Sequence, residues 1–291
     1  MTKDEKRGKF IMKKKIVLTI ILVAMFSLVL TACGGDKKTA EQNTWEKIQA
    51  EGKMVAGLDD NYPPMGYRNE KNELIGFDIE MGKELGKRLG VTIDWQPTAW
   101  DGIIPSLKAK KFDVIISGMT LTEERMKEVD FAGPYIQASQ ALVVKEGNVE
   151  IMEAADLKGK IVGTQNGSTG LKVAEELDKE IGFAEIKGYS DYALVFQDLK
   201  IGRLDAVIAD NYVAAGYIKN MPGEFKFTGD EFSEETNGIA IRKEDKELYE
   251  AINTALEDMI VDGTIGKLAE EWLGGDVTAE LKEAILAKRN K

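Results

Sequence analysis

The chain has 291 residues, one cysteine, no histidine and a formal net charge of −11 at pH 7. The lack of histidine excludes histidine-based catalytic triads, histidine general bases and histidine metal ligands. The acidic balance argues against nucleic acid or an anionic membrane surface as a partner, and the length is sufficient for one or two domains with their own cores.

The first 32 residues have the organisation of an export signal. A basic start at residues 12–15 is followed by an apolar run over 16–30, which is short for a membrane span of about 20 residues. The run ends at Leu30-Thr31-Ala32-Cys33, which resembles the cleavage site of a bacterial lipoprotein signal. We therefore predict a signal peptide over 1–32 with Met12 as its start, lipidation of Cys33, and anchoring to the outer face of the cell membrane.

The remainder of the chain is predicted to form a polar tether followed by a folded body. Residues 33–44 are small and polar, as in a flexible linker. The predicted elements of the body are, in chain order, a helix from Trp45, a strand at 53–57, a helix that ends before Gly90, a strand at 91–95, a helix after Trp100, a strand at 112–116, a helix after Thr122, strands at 141–144 and 160–164, helices at 169–179 and 192–201, strands at 205–209 and 238–241, and helices at 247–262, 265–272 and 279–288. This alternation favours an α/β fold with a largely parallel sheet.

Two α/β units of similar length predict two lobes with a cleft between them. We place the crossings between the lobes near 137–141 and 233–237. Lobe 1 is predicted to contain 45–138 plus 237–274 and lobe 2 to contain 139–236, with an amphipathic C-terminal extension at 275–291. A ligand is expected at the carboxyl ends of the strands that face the cleft.

The segment from Trp100 to Tyr135 contains the first candidate site. The buried strand at 112–116 is followed by a polar turn from Ser117 to Thr122, and Thr122 is a candidate N-cap for a helix that carries Arg125. Hydroxyl groups, backbone N–H groups and a guanidinium in one place suit a carboxylate ligand. Taken alone, the segment is equally compatible with a solvated turn and a surface arginine.

The order of motifs along the body resembles that of bacterial extracellular solute-binding proteins of the polar amino acid family, family 3. The matching motifs are Gly76-Phe77-Asp78, Trp100-Asp101-Gly102 with Pro105 and Leu107, Asp113-Val114-Ile115, Ser117-Gly118-Met119-Thr120, Thr122 with Arg125, Asp130-Phe131 with Pro134-Tyr135, Gly163 with Gly167-Ser168-Thr169, Gly202-Arg203 with Asp205-Ala206, Asp210, and Gly238-Ile239-Ala240. The resemblance implies a two-lobed periplasmic-binding-protein type II fold. Each lobe would be a mostly parallel sheet flanked by helices, and two hinge crossings would let the lobes close on a ligand.

The resemblance also implies roles for residues that bind a free amino acid. Arg125 would grip the ligand carboxylate with help from the Thr120 hydroxyl. Ser117, in the same polar segment, is also expected to bind the ligand. Ser168 and Thr169 would direct the start of a helix at the same carboxylate. Asp210 and the carbonyl of Gly118 would bind the ammonium group. Asp210 is also suited to capping the helix that follows it.

Three further residues are implied to contact the ligand side chain. Tyr62 and Trp100 match positions that sandwich it, although both are also suited to packing beneath the cleft. Asp59 would meet its polar tip, and a carboxylate with two aromatic faces suits a cationic group. We therefore expect a basic amino acid, chiefly arginine, with glutamine or another polar neutral amino acid as the alternative.

The same resemblance implies how the protein would work with others. It would be the monomeric receptor of an amino acid ABC importer whose permease and ATPase subunits are separate chains. No cofactor, metal or catalytic residue is expected. A dehydratase of the same fold is the distant alternative.

Overall fold

A computed structural model of the protein describes residues 42–290. The predicted signal peptide, Cys33 and most of the predicted tether lie outside the described residues. Within the described range, no helix combines the length and the hydrophobicity that a membrane crossing requires.

Helices and strands alternate through most of this range, as the sequence predicts. The helices are α1 (Thr44–Glu51), α2 (Phe77–Leu89), α3 (Ile103–Lys108), α4 (Glu123–Glu128), α5 (Thr169–Ile181), α6 (Tyr192–Lys200), α7 (Asn211–Asn220), α8 (Lys246–Val261), α9 (Thr264–Leu273) and α10 (Ala279–Arg289). The strands are β1 (Lys53–Leu58), β2 (Asn61–Tyr62), β3 (Gly66–Arg68), β4 (Leu74–Ile75), β5 (Thr92–Pro97), β6 (Val114–Thr120), β7 (Asp130–Lys145), β8 (Ile161–Gln165), β9 (Glu185–Tyr189), β10 (Ala206–Asp210) and β11 (Phe225–Ile241).

One mixed sheet runs through the fold in the order β5-β1-β6-β11-β7-β10-β8-β9, while β2, β3 and β4 form a small separate sheet. The outer strands pair in parallel on both sides, β5 with β1 and β1 with β6, and β10 with β8 and β8 with β9. The two long central strands, β7 and β11, are antiparallel to each other. The first lobe contains β5, β1 and β6, and the second lobe contains β10, β8 and β9.

The strands β7 and β11 belong to both lobes. The two strands pair from Asp130 opposite Ile241 at one end to Lys145 opposite Phe225 at the other. The register shifts between Phe232 and Glu235, in the middle of the pair. The predicted crossings at 137–141 and 233–237 lie inside these strands, whereas the exact division of the chain between the lobes stays a prediction.

Each lobe has apolar clusters that pack against the sheet. In the first lobe, one cluster joins the strands to α2, α8 and α9 through fully buried side chains such as Met54, Leu85 and Ile252. In the second lobe, Phe196 and Val207 are fully buried in the corresponding cluster. All seven residues of β6 are buried, which is typical of a strand covered on both faces.

The structure differs from the sequence prediction at the end of β6. Residues 117–120 are predicted to form a turn, but they continue the strand. The reason is non-local, because the antiparallel partner β11 aligns Asn237 with Thr120 and Gly238 with Met119. Ser117 and Thr120 therefore lie in the last part of a central strand, and α4 begins only after Thr122.

The C-terminal helix α10 packs on the first lobe. Leu281 and Ile285 of this helix contact the apolar cluster of the first lobe. Arg289 pairs with Asp258 of α8 at 2.9 Å, and Glu280 accepts a hydrogen bond of 2.9 Å from Nε2 of Gln137 on β7.

Candidate functional site

Arg125 is a buried cation at the junction of the two lobes. Thr122 caps α4 by accepting a hydrogen bond from the Arg125 amide at 3.2 Å, as the sequence predicts. The guanidinium donates from Nη1 to the carbonyl of Thr120 at 3.0 Å and from Nη2 to the carbonyl of Gly167 in the second lobe at 3.1 Å. None of the ion pairs formed within residues 42–290 includes Arg125, although the residue is only 9% exposed. Burial lowers its pKa, because a desolvated guanidinium is less stable in its charged form.

Trp100 lies beside this guanidinium and reaches the same carbonyl. Its Nε1 donates to the carbonyl of Gly167 at 3.2 Å. The guanidinium carbon of Arg125 is 5.3 Å from the centre of the indole ring, within the range of a cation–π contact. Trp100 thus contacts the predicted carboxylate-binding residue directly, in addition to its predicted place against the ligand side chain.

The start of α5 faces the junction from the second lobe. The Ser168 hydroxyl donates to the carbonyl of Gln165 at 2.7 Å and accepts from the amide of Leu171 at 3.0 Å, so it caps the helix. The first amides of a helix, here those of Thr169 and Gly170, have no acceptor within the helix. They present the positive end of the α5 dipole, which suits an anion.

Asp59 follows β1 and is tied to both lobes. Its amide donates to the Ser117 hydroxyl at 3.0 Å, and its Oδ1 accepts from the amide of Asn61 at 2.9 Å. Its Oδ2 accepts from Nε2 of Gln165, in the second lobe, at 2.6 Å. Asp59 is 5% exposed, and burial raises the pKa of its carboxyl group. The three groups that hydrogen-bond to Asp59, the Ser117 hydroxyl, the Asn61 amide and the Gln165 side-chain amide, are all neutral.

Tyr62 forms the centre of an aromatic group that spans the junction. Its ring is nearly parallel to that of Trp100 with the centroids 6.4 Å apart, and it is 6.1 Å from the ring of Tyr192 in the second lobe. Tyr62 also covers Gly118, where a Cβ atom would lie 2.8 Å from Cε1 of the tyrosine. Gly118 has φ of +51°, so glycine is favoured there by both the backbone and the covering ring.

Asp78 lies fully buried behind Gly118. Its Oδ2 accepts from the Gly118 amide at 2.7 Å, and its Oδ1 accepts from the Tyr135 hydroxyl at 2.9 Å. Burial raises the pKa of Asp78 to about 7, although both hydrogen bonds act in the opposite direction. These contacts fix the direction of the Gly118 peptide at the floor of the junction.

Asp210 ends β10 and caps α7. One oxygen, Oδ1, accepts from the amides of Tyr212 at 3.0 Å and Val213 at 3.4 Å. The hydrogen bonds within residues 42–290 include no donor to its other oxygen. Burial and the negative charge of Glu235 raise the pKa of Asp210 to about 7. The capping role considered from the sequence is therefore present, and one oxygen is left for another partner.

The Thr120 and Thr169 hydroxyls meet at a residue that the sequence analysis did not single out. Both donate to Oε2 of Glu235, at 2.9 Å and 3.1 Å. Nε2 of Gln140 donates to the same oxygen at 3.1 Å and to the Thr169 hydroxyl at 3.1 Å. Glu235 lies on β11 between the lobes.

All ten predicted ligand-binding residues lie at this junction. Seven belong to the first lobe and three to the second, in the following order: Asp59, Tyr62, Trp100, Ser117, Gly118, Thr120 and Arg125, then Ser168, Thr169 and Asp210. Sequence reasoning missed Gln165, although its place at the carboxyl end of a parallel strand could have identified it. It also missed Glu235, for which neither a motif nor a spacing was available. Residues 42–290 contain no group of three or more His, Cys, Asp or Glu side chains arranged to hold a metal ion.

Comparison with known proteins shows similarity over most of the chain. The L-cystine-binding protein TcyJ of Escherichia coli is 36% identical over 258 residues, which are 88% of this chain and 96% of TcyJ. The structure is similar to that of an ancestral arginine-binding protein bound to arginine, with a TM-score of 0.73 and 47% identity over 76% of this chain and 98% of the other.

A third similar protein is the ancestral amino acid-binding protein AncCDT-1, a precursor of cyclohexadienyl dehydratase. It has a TM-score of 0.73 and 39% identity, with 79% of this chain and 99% of that chain covered. The model of bacterial extracellular solute-binding proteins, family 3, matches residues 54–275. With a family match over most of the chain and the two-lobed arrangement of the sheet, this protein belongs to the bacterial extracellular solute-binding proteins, family 3.

Proposed function

We propose that the protein captures a free L-amino acid between its two lobes and delivers it to the membrane permease of an ABC importer. The observation that carries this proposal is Arg125, a buried guanidinium with no carboxylate partner among the described residues, next to the start of α5. A buried charge without an opposite charge is costly, so such a site favours an anionic group from a ligand. The carboxylate of an amino acid would accept from Arg125 and from the first amides of α5.

The ammonium group of the ligand has a complementary place on the other side of the site. The free oxygen of Asp210 belongs to the second lobe, and the carbonyl of Gly118 belongs to the first. A ligand held by Arg125 and Asp210 would contact both lobes only when they are closed. This difference in affinity between open and closed forms is what would drive closure.

For the ligand side chain we propose a basic amino acid, chiefly arginine. Asp59 is held by neutral donors alone, so a cationic tip would compensate its buried charge. The faces of Tyr62 and Trp100 suit a guanidinium. The similarity to an arginine-binding protein supports this choice, and the similarity to a cystine-binding protein makes cystine, with glutamine, the alternative to be tested.

We also propose that Cys33 carries the lipid anchor, that the protein acts as a monomer, and that its permease and ATPase partners are separate chains. Catalysis is not part of the proposal. The cleft carboxylates Asp59 and Asp210 already accept two hydrogen bonds each from the protein, and each has a role in binding the ligand.

Isothermal titration calorimetry on the full chain, unfolded and refolded to remove bound ligand, tests the proposal. The panel contains L-arginine, L-lysine, L-histidine, L-glutamine and L-cystine. We expect saturable binding of arginine that is lost in Arg125→Ala and kept in Arg203→Ala, because Arg203 is an exposed arginine paired with Asp198. Binding of glutamine or cystine instead would retain the transport role and reject the basic ligand. Absence of binding to the whole panel would reject the proposal.

A further inference from the structure

Helix α7 of the second lobe contacts a segment of the first lobe that carries two of the proposed ligand contacts. That segment, residues 59–64, begins at Asp59 and includes Tyr62. The Tyr217 hydroxyl of α7 donates to the carbonyl of Asn61 at 3.0 Å, and the Asn61 amide donates to Oδ1 of Asp59 at 2.9 Å. The contact between α7 and this segment therefore lies directly beside the candidate ligand site.

At this contact Gly216 of α7 lies against the backbone of Pro63. A Cβ atom at Gly216 would be 2.6 Å from the Pro63 carbonyl oxygen and 3.0 Å from the backbone nitrogen of Pro64, both closer than an ordinary van der Waals contact. Gly216 is buried in the interior of its ten-residue helix, where glycine is among the least favourable residues. The alanine that would suit α7 better is thus excluded by the first lobe.

Both sides of this contact are held firmly within their own lobes. In the first lobe, the carbonyl of Pro64 accepts from the amide of Phe77 at the start of α2, at 2.9 Å. In the second lobe, Tyr217 stacks on Phe196 with the ring centroids 4.3 Å apart, inside the apolar cluster. Because packed backbones resist local displacement, a larger residue at Gly216 would be accommodated by a movement of one lobe relative to the other.

We infer that Gly216 is a positioning residue for closure, whose missing side chain lets α7 approach Pro63 closely enough for the lobes to close. This inference rests on the proposed function, in which a ligand held by both lobes drives closure. The contact belongs to the closed form, because α7 and residues 59–64 lie on opposite lobes. Since Gly216 acts on closure and not on the ligand, it acts equally on every amino acid that the cleft accepts.

A methyl group at Gly216 should affect the open and closed forms differently. In the open form it would lie away from Pro63, and alanine would stabilise α7. In the closed form it would meet the Pro63 carbonyl, so the closed form would be less populated and the apparent affinity for ligand would fall. The substitution should therefore weaken ligand binding without weakening the ligand-free fold.

The test uses three variants of the full chain, each unfolded and refolded to remove bound ligand. Gly216→Ala adds the methyl group, and Tyr217→Phe removes only the hydroxyl that donates to Asn61. Gly147→Ala is the matched control, because no atom lies within 4 Å of its Cβ position.

Three measurements are made on each variant. Calorimetry gives the affinity for each amino acid of the panel that binds the wild type. Small-angle X-ray scattering gives the radius of gyration with and without a saturating concentration of that amino acid. Thermal unfolding gives the stability of the ligand-free protein.

For Gly216→Ala we expect the affinity to fall by about tenfold for every bound amino acid, the order of one overpacked contact. The ligand-free variant should unfold at the wild-type temperature or higher, and its ligand-saturated radius of gyration should exceed that of the wild type. Tyr217→Phe should weaken binding by a smaller factor. Adding it to Gly216→Ala should cause little further loss, because α7 would already have moved away from Asn61. Gly147→Ala should match the wild type in all three measurements.

Four results would overturn the inference while the proposed function stands, because in each of them the wild type still binds. They are unchanged affinities in Gly216→Ala, a wild-type radius of gyration for its ligand-saturated form, losses of affinity that differ between amino acids, and a lower unfolding temperature without ligand. The last would show that α7 and Pro63 pack together regardless of closure. If the wild type bound no amino acid of the panel, the proposed function would fail and this inference with it.

Discussion

The side-chain amide of Gln165 donates a hydrogen bond of 2.6 Å to Oδ2 of Asp59 across the junction of the lobes. The second N–H of the same amide donates to the carbonyl of Ser190 at 3.1 Å, which fixes the orientation of Gln165. Asp59 is therefore a buried carboxylate that is hydrogen-bonded by neutral groups from both lobes. Such an arrangement holds a negative charge in place without neutralising it.

Asp59→Asn is expected to weaken the binding of arginine more than that of glutamine. The variant keeps the size of the side chain but removes its negative charge. In our proposal this charge pairs with the cationic tip of the ligand. The loss should be about 1.5–3 kcal/mol of binding free energy for arginine, the range for hydrogen bonds to charged groups. Calorimetry with both ligands measures the difference.

Asp60→Asn is the control for this variant, because Asp60 is an adjacent carboxylate that pairs with Arg68 at 2.7 Å. It should leave both affinities unchanged. Unaltered arginine binding in Asp59→Asn would contradict the proposed contact with the ligand tip.

Arg125→Met is expected to abolish amino acid binding while leaving the unliganded fold intact. Removing one partner of a buried ion pair costs about 3–5 kcal/mol, which corresponds to more than a hundredfold loss of affinity. Without ligand, by contrast, the variant no longer buries a guanidinium that lacks an opposite charge. Its thermal unfolding should therefore occur at the same temperature as that of the wild type or higher. Retention of wild-type affinity would exclude Arg125 from the ligand site.

Much of this site could be predicted because its residues occupy positions with strong local signals. Thr122 is an N-cap that the local pattern indicates, whereas the roles of Ser168 and Asp210 come from the resemblance to the family, which places them at the start of a helix and at the end of a short apolar strand. Glu235 could not be found in this way. Its position between the lobes depends on the pairing of β11 with β7 over residues far apart in the chain, and such pairings leave no periodic pattern in the sequence.

The fold shows the same limit at β6 and β11. Local hydrophobicity predicts strands at 112–116 and 238–241, whereas the strands extend over Val114–Thr120 and Phe225–Ile241. Both extensions contain polar residues that are held in strands by their antiparallel neighbours rather than by their own propensity. The candidate site residue Thr120 and its hydrogen-bond partner Glu235 lie in these extensions.

Gly118→Ala is expected to destabilise the protein and to disturb the aromatic group. The added methyl group would lie 2.8 Å from Cε1 of Tyr62, and φ of +51° is unfavourable for alanine by about 1–2 kcal/mol. The free energy of unfolding in urea should fall by at least that amount, and ligand affinity should fall as well because Tyr62 must move. Gly147→Ala should change neither quantity, since no atom lies within 4 Å of its Cβ position. Equal effects of the two substitutions would contradict this account of Gly118.

Asp78 should make the protein less stable as the pH rises from about 4 to about 7. Its pKa is raised from 3.8 to about 7 by burial, so the folded protein binds more protons than the unfolded chain in this interval. The free energy of unfolding then decreases with rising pH, by at most about 1.4 kcal/mol per pH unit for this group.

Urea unfolding of the wild type and Asp78→Asn at several pH values measures this contribution. The wild type should gain stability relative to the variant as the pH falls from 7 to 4. Asp230→Asn, at an exposed position, is the control and should run parallel to the wild type. A constant difference between wild type and Asp78→Asn over this interval would show that Asp78 does not take up a proton there.

Asp210 should make ligand binding depend on pH, with an affinity that increases as the pH rises. Burial and the charge of Glu235 raise its pKa to about 7, so much of the unliganded protein carries a neutral Asp210 at pH 6. An ammonium group at its free oxygen would favour the ionised form and lower the pKa, so that binding below pH 7 releases a proton. Affinity should therefore rise with pH by up to about tenfold per unit between pH 5 and 7 and become constant above that range.

Calorimetry at pH 6 in buffers with different enthalpies of ionisation detects the released proton directly. In Asp210→Asn the pH dependence and the proton release should both disappear, together with most of the affinity. The variant should still fold, because asparagine is as good an N-cap as aspartate and can accept from the amides of Tyr212 and Val213. Binding that is independent of pH in the wild type, with no proton released, would show that the ammonium group of the ligand does not lie against Asp210.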